Sequence, residues 1–248
     1  MGLFDLFSSK RSQPTKKKSE REIARLARLV GDKMSQNFDR QEAIEQLSGL
    51  GTGQSATALL KRFTWSMDPS ITDQEEKEAA ARGVVAAGEA ALEPLRAFCA
   101  KAESLTWPIK MLRQIVEEDA IVDELLGILD EFDTEYVRNI EPKRQLMSAL
   151  EEHPSDEVRE AVEPFLTDIS EPVRYAAVTT TFAMKSNASV PSLVEALAEE
   201  ESLRVRNRIA QGLAEAGWEI PESLLESLQD HVPPDFRIAE GRKVVRVS

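Results

Sequence analysis

Cysteine and histidine are nearly absent from this 248-residue chain, and their scarcity removes several kinds of protein at once. The single cysteine, Cys99, excludes an intrachain disulfide and a cysteine-built metal site, and it points to a reducing, cytoplasmic setting. The two histidines, His153 and His231, stand far apart and are followed by Pro154 and Val232. Two isolated imidazoles do not make a metal centre. Aromatic residues make up only 6% of the chain. Strands draw on aromatic and β-branched side chains, so a chain rich in Ala, Leu and Glu favours helix. No apolar run approaches the roughly 18 residues that cross a bilayer. The segment Leu3-Phe4-Asp5-Leu6-Phe7 is too short, and carries an acid, for a secretory signal core. The chain holds no glycine-rich phosphate loop, nucleophile elbow or paired Cys/His cluster, so neither a cofactor nor a catalytic centre is expected.

What is there is an apolar content of 42%, enough to bury a core, and a net charge of −13. The charge is uneven. Residues 1–33 hold nine Lys/Arg and four Asp/Glu, a net of +5, which leaves −18 on the remainder. So acidic a body repels phosphate backbones, which argues against general nucleic-acid binding and favours basic partners.

The chain also repeats itself. Glu171-Pro172-Val173-Arg174-Tyr175-Ala176-Ala177 is echoed by Ser202-Leu203-Arg204-Val205-Arg206-Asn207-Arg208, with Val-Arg recurring 32 positions on. Each copy leads through a polar break into a second apolar-periodic run, from Val190 and from Ile220. Helix, short turn, helix at this period is the mark of a helical solenoid.

Taken in order, residues 1–19 read as a disordered basic tail. Leu3, Phe4, Leu6 and Phe7 form an apolar tip, and a polar stretch follows that ends in Lys16-Lys17-Lys18. The tip and lysines fit a weak membrane or partner contact, a segment folding onto the chain's own acidic groove, or a soluble flexible start. Leu6 stands where a myristoylation signal needs Ser or Thr. A helix is expected over 20–35, opened by Ser19 and Glu22. Helical pairs follow over 38–63, 74–102, 106–131 and 134–166, with Pro142 kinking or restarting the first helix of the fourth. The connection 64–73 is longer; its Trp65, Met67 and Ile71 fit either a functional loop or a lid on the core. After His231, Pro233-Pro234 stops helix, and two short apolar runs flanking Glu240-Gly241-Arg242 predict a hairpin that caps the array. The expected organisation is therefore a tail over 1–19, a repeat domain over 20–230 and a capping tail over 231–248.

The run Thr167-Asp168-Ile169-Ser170-Glu171-Pro172-Val173-Arg174-Tyr175-Ala176-Ala177 closely resembles the HEAT-repeat consensus, and Glu200-Glu201-Ser202-Leu203-Arg204-Val205-Arg206 is similar, with Glu replacing Asp. Residues 87–95 resemble the turn and second helix of bacterial HEAT-like repeats. The likeness covers about 38–230. It implies an all-α fold, a right-handed α–α superhelix of about six helical pairs, whose second helices line a concave protein-binding surface. It also implies that Asp168, Val173, Arg174, Val205 and Arg206 are structural, with the two arginines reaching back toward Asp168 and toward Glu200 or Glu201. HEAT-like deoxyhypusine hydroxylases carry His-Glu pairs for iron, and those are missing here. Relatives that act as DNA glycosylases use a basic face with aromatics, and Trp65, Trp107 and Trp218 come without the basic face.

Reading the non-core positions of the second helices gives Asp123, Glu124, Glu160, Glu163, Glu195, Glu199 and Glu226 as candidate binding residues. Stacking would align them into an acidic ridge that steers a Lys/Arg-rich segment; acidic faces also serve solubility alone. The sequence reading is thus a non-catalytic protein–protein scaffold or adaptor, without metal or cofactor. The alternatives are a HEAT-like enzyme or lyase accessory, glycosylase-like or chromophore-lyase-like, and a peripheral membrane scaffold held by the tail. Oligomeric state stays open.

Overall fold

The computed structural model describes residues 13–247, with side chains from Ser19 onward. The apolar tip at residues 3–7 and the side chains of Lys16, Lys17 and Lys18 lie outside the described residues. Among the described residues there are thirteen α-helices and one two-stranded antiparallel sheet. They fall into two compact units.

The first unit holds α1 (Gln13–Gly31), α2 (Asn37–Ser48), α3 (Gly53–Leu60), α4 (Ser70–Ala86), α5 (Leu92–Cys99) and α6 (Thr106–Ile115). Within it α2 packs on α4 and α4 on α6, while α3 packs on α5, so alternate helices form two layers. α1 covers α2 and α3 at the end of the stack, burying Leu26, Ala27 and Val30. End repeats need such a cover because their apolar faces have no further neighbour.

The second unit holds residues 103–105, α7 (Ile121–Leu129), α8 (Glu141–Leu150), α9 (Asp156–Val162), α10 (Glu171–Ala183), α11 (Val190–Glu199), α12 (Leu203–Ala216) and α13 (Leu225–His231). It closes with β1 (Phe236–Ala239) and β2 (Lys243–Arg246). Here α8, α10 and α12 stack as one layer; α9 contacts α7, and α13 contacts α11, in the other. The periodicity produces this directly. α12 buries Val205, Ile209, Ala210 and Leu213 on one stripe, and Ser202 caps it by accepting from the Val205 N–H. Gly217, at φ +62°, ends it in the left-handed conformation that glycine adopts without strain. The layers also need small residues where helices meet. A Cβ on Gly212 would overlap the Phe182 ring, and one on Gly83 would overlap Ser48.

Three boundaries differ from the sequence reading. α1 runs from Gln13 to Gly31 instead of 20–35; the Asp32 carboxylate, accepting from the Met34 N–H at 2.9 Å, organises the turn that stops it. α8 begins at Glu141 and not near Thr134, so Pro142 sits in its first turn and opens the helix instead of kinking it. α4 begins at Ser70, which shortens the 64–73 connection. There Trp65 lies over the Arg62 guanidinium at 3.8 Å and Met67 Sδ accepts from Arg40, but Ile71 is 71% exposed and covers nothing.

The expected hairpin is present. Phe236 pairs with Arg246 and Ile238 with Val244, and Phe236 and Val244 are buried. β2 packs on α12, and the Ile220 N–H donates to the Arg242 carbonyl, which ties the hairpin to the last helical pair.

Candidate functional site

The junctions between repeats in the second unit are built from charges. A short 3-10 segment, Glu163–Thr167, continues α9 and buries Phe165 and Leu166, which aims the next residue, Asp168, inward. The Asp168 carboxylate accepts from Lys143 Nζ at 2.7 Å, with both side chains fully buried, and from the Ser170 N–H at 2.8 Å. Glu200 repeats the arrangement before α12. It accepts from Arg174 Nε and Nη2, both at 2.7 Å, and from the Ser202 N–H at 2.7 Å. Burial pushes the Glu200 carboxyl upward, but the Arg174 and Ser202 hydrogen bonds outweigh it and hold the carboxyl below its ordinary range. Arg174 is raised by the same Glu200 bond.

The two implied arginine contacts come out differently. Arg174 does touch the Asp168 position, but through the Asp168 carbonyl at 3.0 Å, and its ion pair runs forward to Glu200. Arg206 does not reach Glu200 or Glu201. It donates to the His231 carbonyl at 2.7 Å, and its buried Nε has no partner among the described residues. No carboxylate stands at that place in the last repeat, so a main-chain carbonyl takes its role. Val173 and Val205 are buried core residues.

Four of the seven candidate carboxylates converge. Glu160 and Glu163 on one wall face Ser192, Glu195 and Glu199 of α11 across an open depression of about 450 Å³, floored by Leu166 and Ala196. A further depression of about 270 Å³ continues it past Thr167 and Glu199 to Glu201. Together they form a groove between α9, with its 3-10 extension, and α11.

The four do not have equal roles. Glu163 accepts from Ser189 Oγ at 2.7 Å, Ser192 Oγ at 3.0 Å and Arg159 Nη1 at 3.0 Å, so it staples one repeat to the next. Glu160 is exposed and pairs with Arg159 at 2.7 Å. Arg159 is raised above its ordinary value, mainly by hydrogen bonds to Glu163 and then Asp156. Glu195 and Glu199, one turn apart on α11 and exposed, have no ion pair among the described residues. Asp123, Glu124 and Glu226 lie on α7 and α13 and do not line the groove.

The first unit contains a charged cluster that the sequence reading missed. Glu76, fully buried, accepts from Arg40 Nη2 at 3.0 Å and Arg62 Nε at 2.7 Å; Asp73 adds contacts to Arg62 and Lys77, both at 2.7 Å. Its advance signal was slight, since Lys61 and Arg62 stand together between Leu60 and Phe63 and only Arg62 is buried. A depression of about 430 Å³ between α2 and α4 borders this cluster, lined by Glu45, Glu75, Glu76 and Arg82 over Ile44 and Ala79. Its charge is mixed and Glu76 is already neutralised. The acidic groove of the second unit is the better candidate.

Chemically the groove offers carboxylates, the Ser192 hydroxyl bound to Glu163, and an apolar floor. Among the described residues no cluster of three or more His, Cys, Asp or Glu is placed to hold a metal ion. None of the three tryptophans lines the groove. Among the described residues no helix is long and apolar enough to cross a membrane.

Stacked antiparallel pairs with ionic junctions and a polar groove define a helical-repeat array. Residues 122–214, which run through α7 to α12, match the family model described as HEAT repeats, so this stretch is a HEAT-repeat array and its fold a helical solenoid. No curated protein matches the chain. HEAT repeats commonly bind other proteins and are typically non-catalytic.

Proposed function

We propose that the groove between α9 and α11 binds a basic segment of another protein, and that the chain works as a non-catalytic adaptor or scaffold. One observation carries the reading: Glu195 and Glu199 stand unpaired beside an apolar floor in a HEAT array. Unpaired carboxylates at a groove attract cations, and the Leu166–Ala196 floor suits the aliphatic stems of Lys and Arg. Exposed ion pairs contribute only about 0–1 kcal/mol each, so a partner must engage several of these carboxylates together. Binding should therefore weaken steeply as salt rises.

The test is charge reversal with the fold monitored. Glu195→Lys/Glu199→Lys should weaken binding of fluorescent Lys/Arg-rich peptides about tenfold or more, given about 1.4 kcal/mol per decade, and should reduce its salt dependence. Circular dichroism should stay unchanged. Glu163 is a poor choice for this test because Ser189 and Ser192 depend on it. Equal affinity in wild type and double variant would move the site off this groove.

A further inference from the structure

We propose that α1 is a docking surface for an anionic lipid bilayer, a second interaction site independent of the groove. α1 uses its apolar stripe inside the protein, where Leu26, Ala27 and Val30 are buried against α2 and α3. At 3.6 residues per turn, Arg21, Arg25 and Arg28 fall on the opposite side of the helix. Lys17 and Lys18 occupy the same arc by register, one turn earlier. These five residues span about 100° of the helix circumference, centred opposite the buried stripe, whereas Lys16 falls on the stripe's own side by register. A capping helix needs a polar outer face; it does not need one of a single sign.

All three arginines are exposed. Arg25 pairs with Glu22 at 2.7 Å and lies near Asp39 and Glu42, while Arg21 and Arg28 make no ion pair among the described residues. These charges belong to a chain whose other residues are strongly acidic: residues 1–28 contain eight Lys/Arg against Asp5, Glu20 and Glu22. The sequence ahead of α1 supplies the second signal, since Leu3, Phe4, Leu6 and Phe7 precede the basic run.

Charge complementarity and apolar content together select the partner. A bilayer bearing anionic headgroups takes basic side chains at its surface and accepts a few apolar side chains at the acyl boundary. Neither signal anchors strongly alone, and stable peripheral binding takes both. A nucleic acid would use the basic stripe but has no use for the apolar quartet. Each basic residue near an anionic surface strengthens partitioning about fivefold, so Arg21 and Arg28 together govern roughly a 25-fold range.

The experiment is flotation of the full-length protein with vesicles of phosphatidylcholine alone and of phosphatidylcholine mixed equally with phosphatidylglycerol. The protein should float with the mixed vesicles only and be released by salt. Arg21→Glu/Arg28→Glu should lower partitioning at least tenfold while helicity and thermal midpoint stay at the wild-type values, because neither side chain holds an internal ion pair. Phe4→Ser/Phe7→Ser should also release the protein. Glu195→Lys/Glu199→Lys should float as wild type does, which separates this site from the groove. Failure of the wild type to float, equal flotation with both lipids, wild-type flotation of Arg21→Glu/Arg28→Glu, or retention of duplex DNA without flotation would overturn the proposal.

Discussion

Lys143 and Asp168 form an ion pair from which water is wholly excluded, and such pairs are worth most when neither partner stands alone. Lys143→Met leaves a buried carboxylate that still accepts from the Ser170 N–H but has lost its cation. It should cost about 3–5 kcal/mol in urea unfolding. The double change Lys143→Met/Asp168→Leu should recover much of that loss; a double variant less stable than the single would contradict the account. At Gly212 the constraint is space. Gly212→Val must displace the Phe182 ring, which stacks on Trp218 at 5.7 Å, and should cost about 1–3 kcal/mol in the same assay. Asp168 and Arg174 were legible because they fall on the repeated motif. Lys143 was not: its neighbours Glu141-Pro142 match Glu171-Pro172, and that match aligns Arg144 with Arg174, although Lys143 makes the buried bond. A sequence motif records spacing along the helix and not which of two adjacent cations turns inward.

The junction between α10 and α12 makes stability depend on acid. The Glu200 carboxyl lies below its ordinary value of 4.5 in the folded chain because Arg174 and the Ser202 N–H hold its charged form against the opposing effect of burial. A depressed folded value means that the contribution is complete above the unfolded carboxylate range and is lost as pH falls through the folded value. Asp73, also depressed, acts in the same direction in the first unit; burial opposes, and the bonds from Lys77 and Arg62 prevail. Thermal midpoints followed by circular dichroism should thus fall as pH drops below about 4.5. In Arg174→Met most of that depression is removed, so the variant should be less stable than wild type at neutral pH and the gap between the two should narrow as pH falls through the acid range. An identical acid profile would remove this junction from the account. Helix identities were readable from apolar period, and helix ends less so. α1 and α8 shifted because the boundary is set by local chemistry, an Asp32 turn and a first-turn proline, to which periodicity is blind.

For the molecule as a whole, the repeat, the helical class and the C-terminal hairpin all follow from the spacing of apolar residues. The groove was half legible. That α9 and α11 carry carboxylates is plain from the chain, yet only packing separates Glu163, consumed by Ser189, Ser192 and Arg159, from the unpaired Glu195 and Glu199. Stacking also left Asp123, Glu124 and Glu226 outside the groove, so the expected acidic ridge narrows to one local site. The most direct measurement is zero-length carbodiimide cross-linking, read by mass spectrometry, on the full-length protein with the basic peptide that binds it best. The groove account predicts links from peptide lysines to Glu195 and Glu199, which disappear as salt rises. Links only to carboxylates elsewhere, such as Asp123 or Glu226, would contradict it.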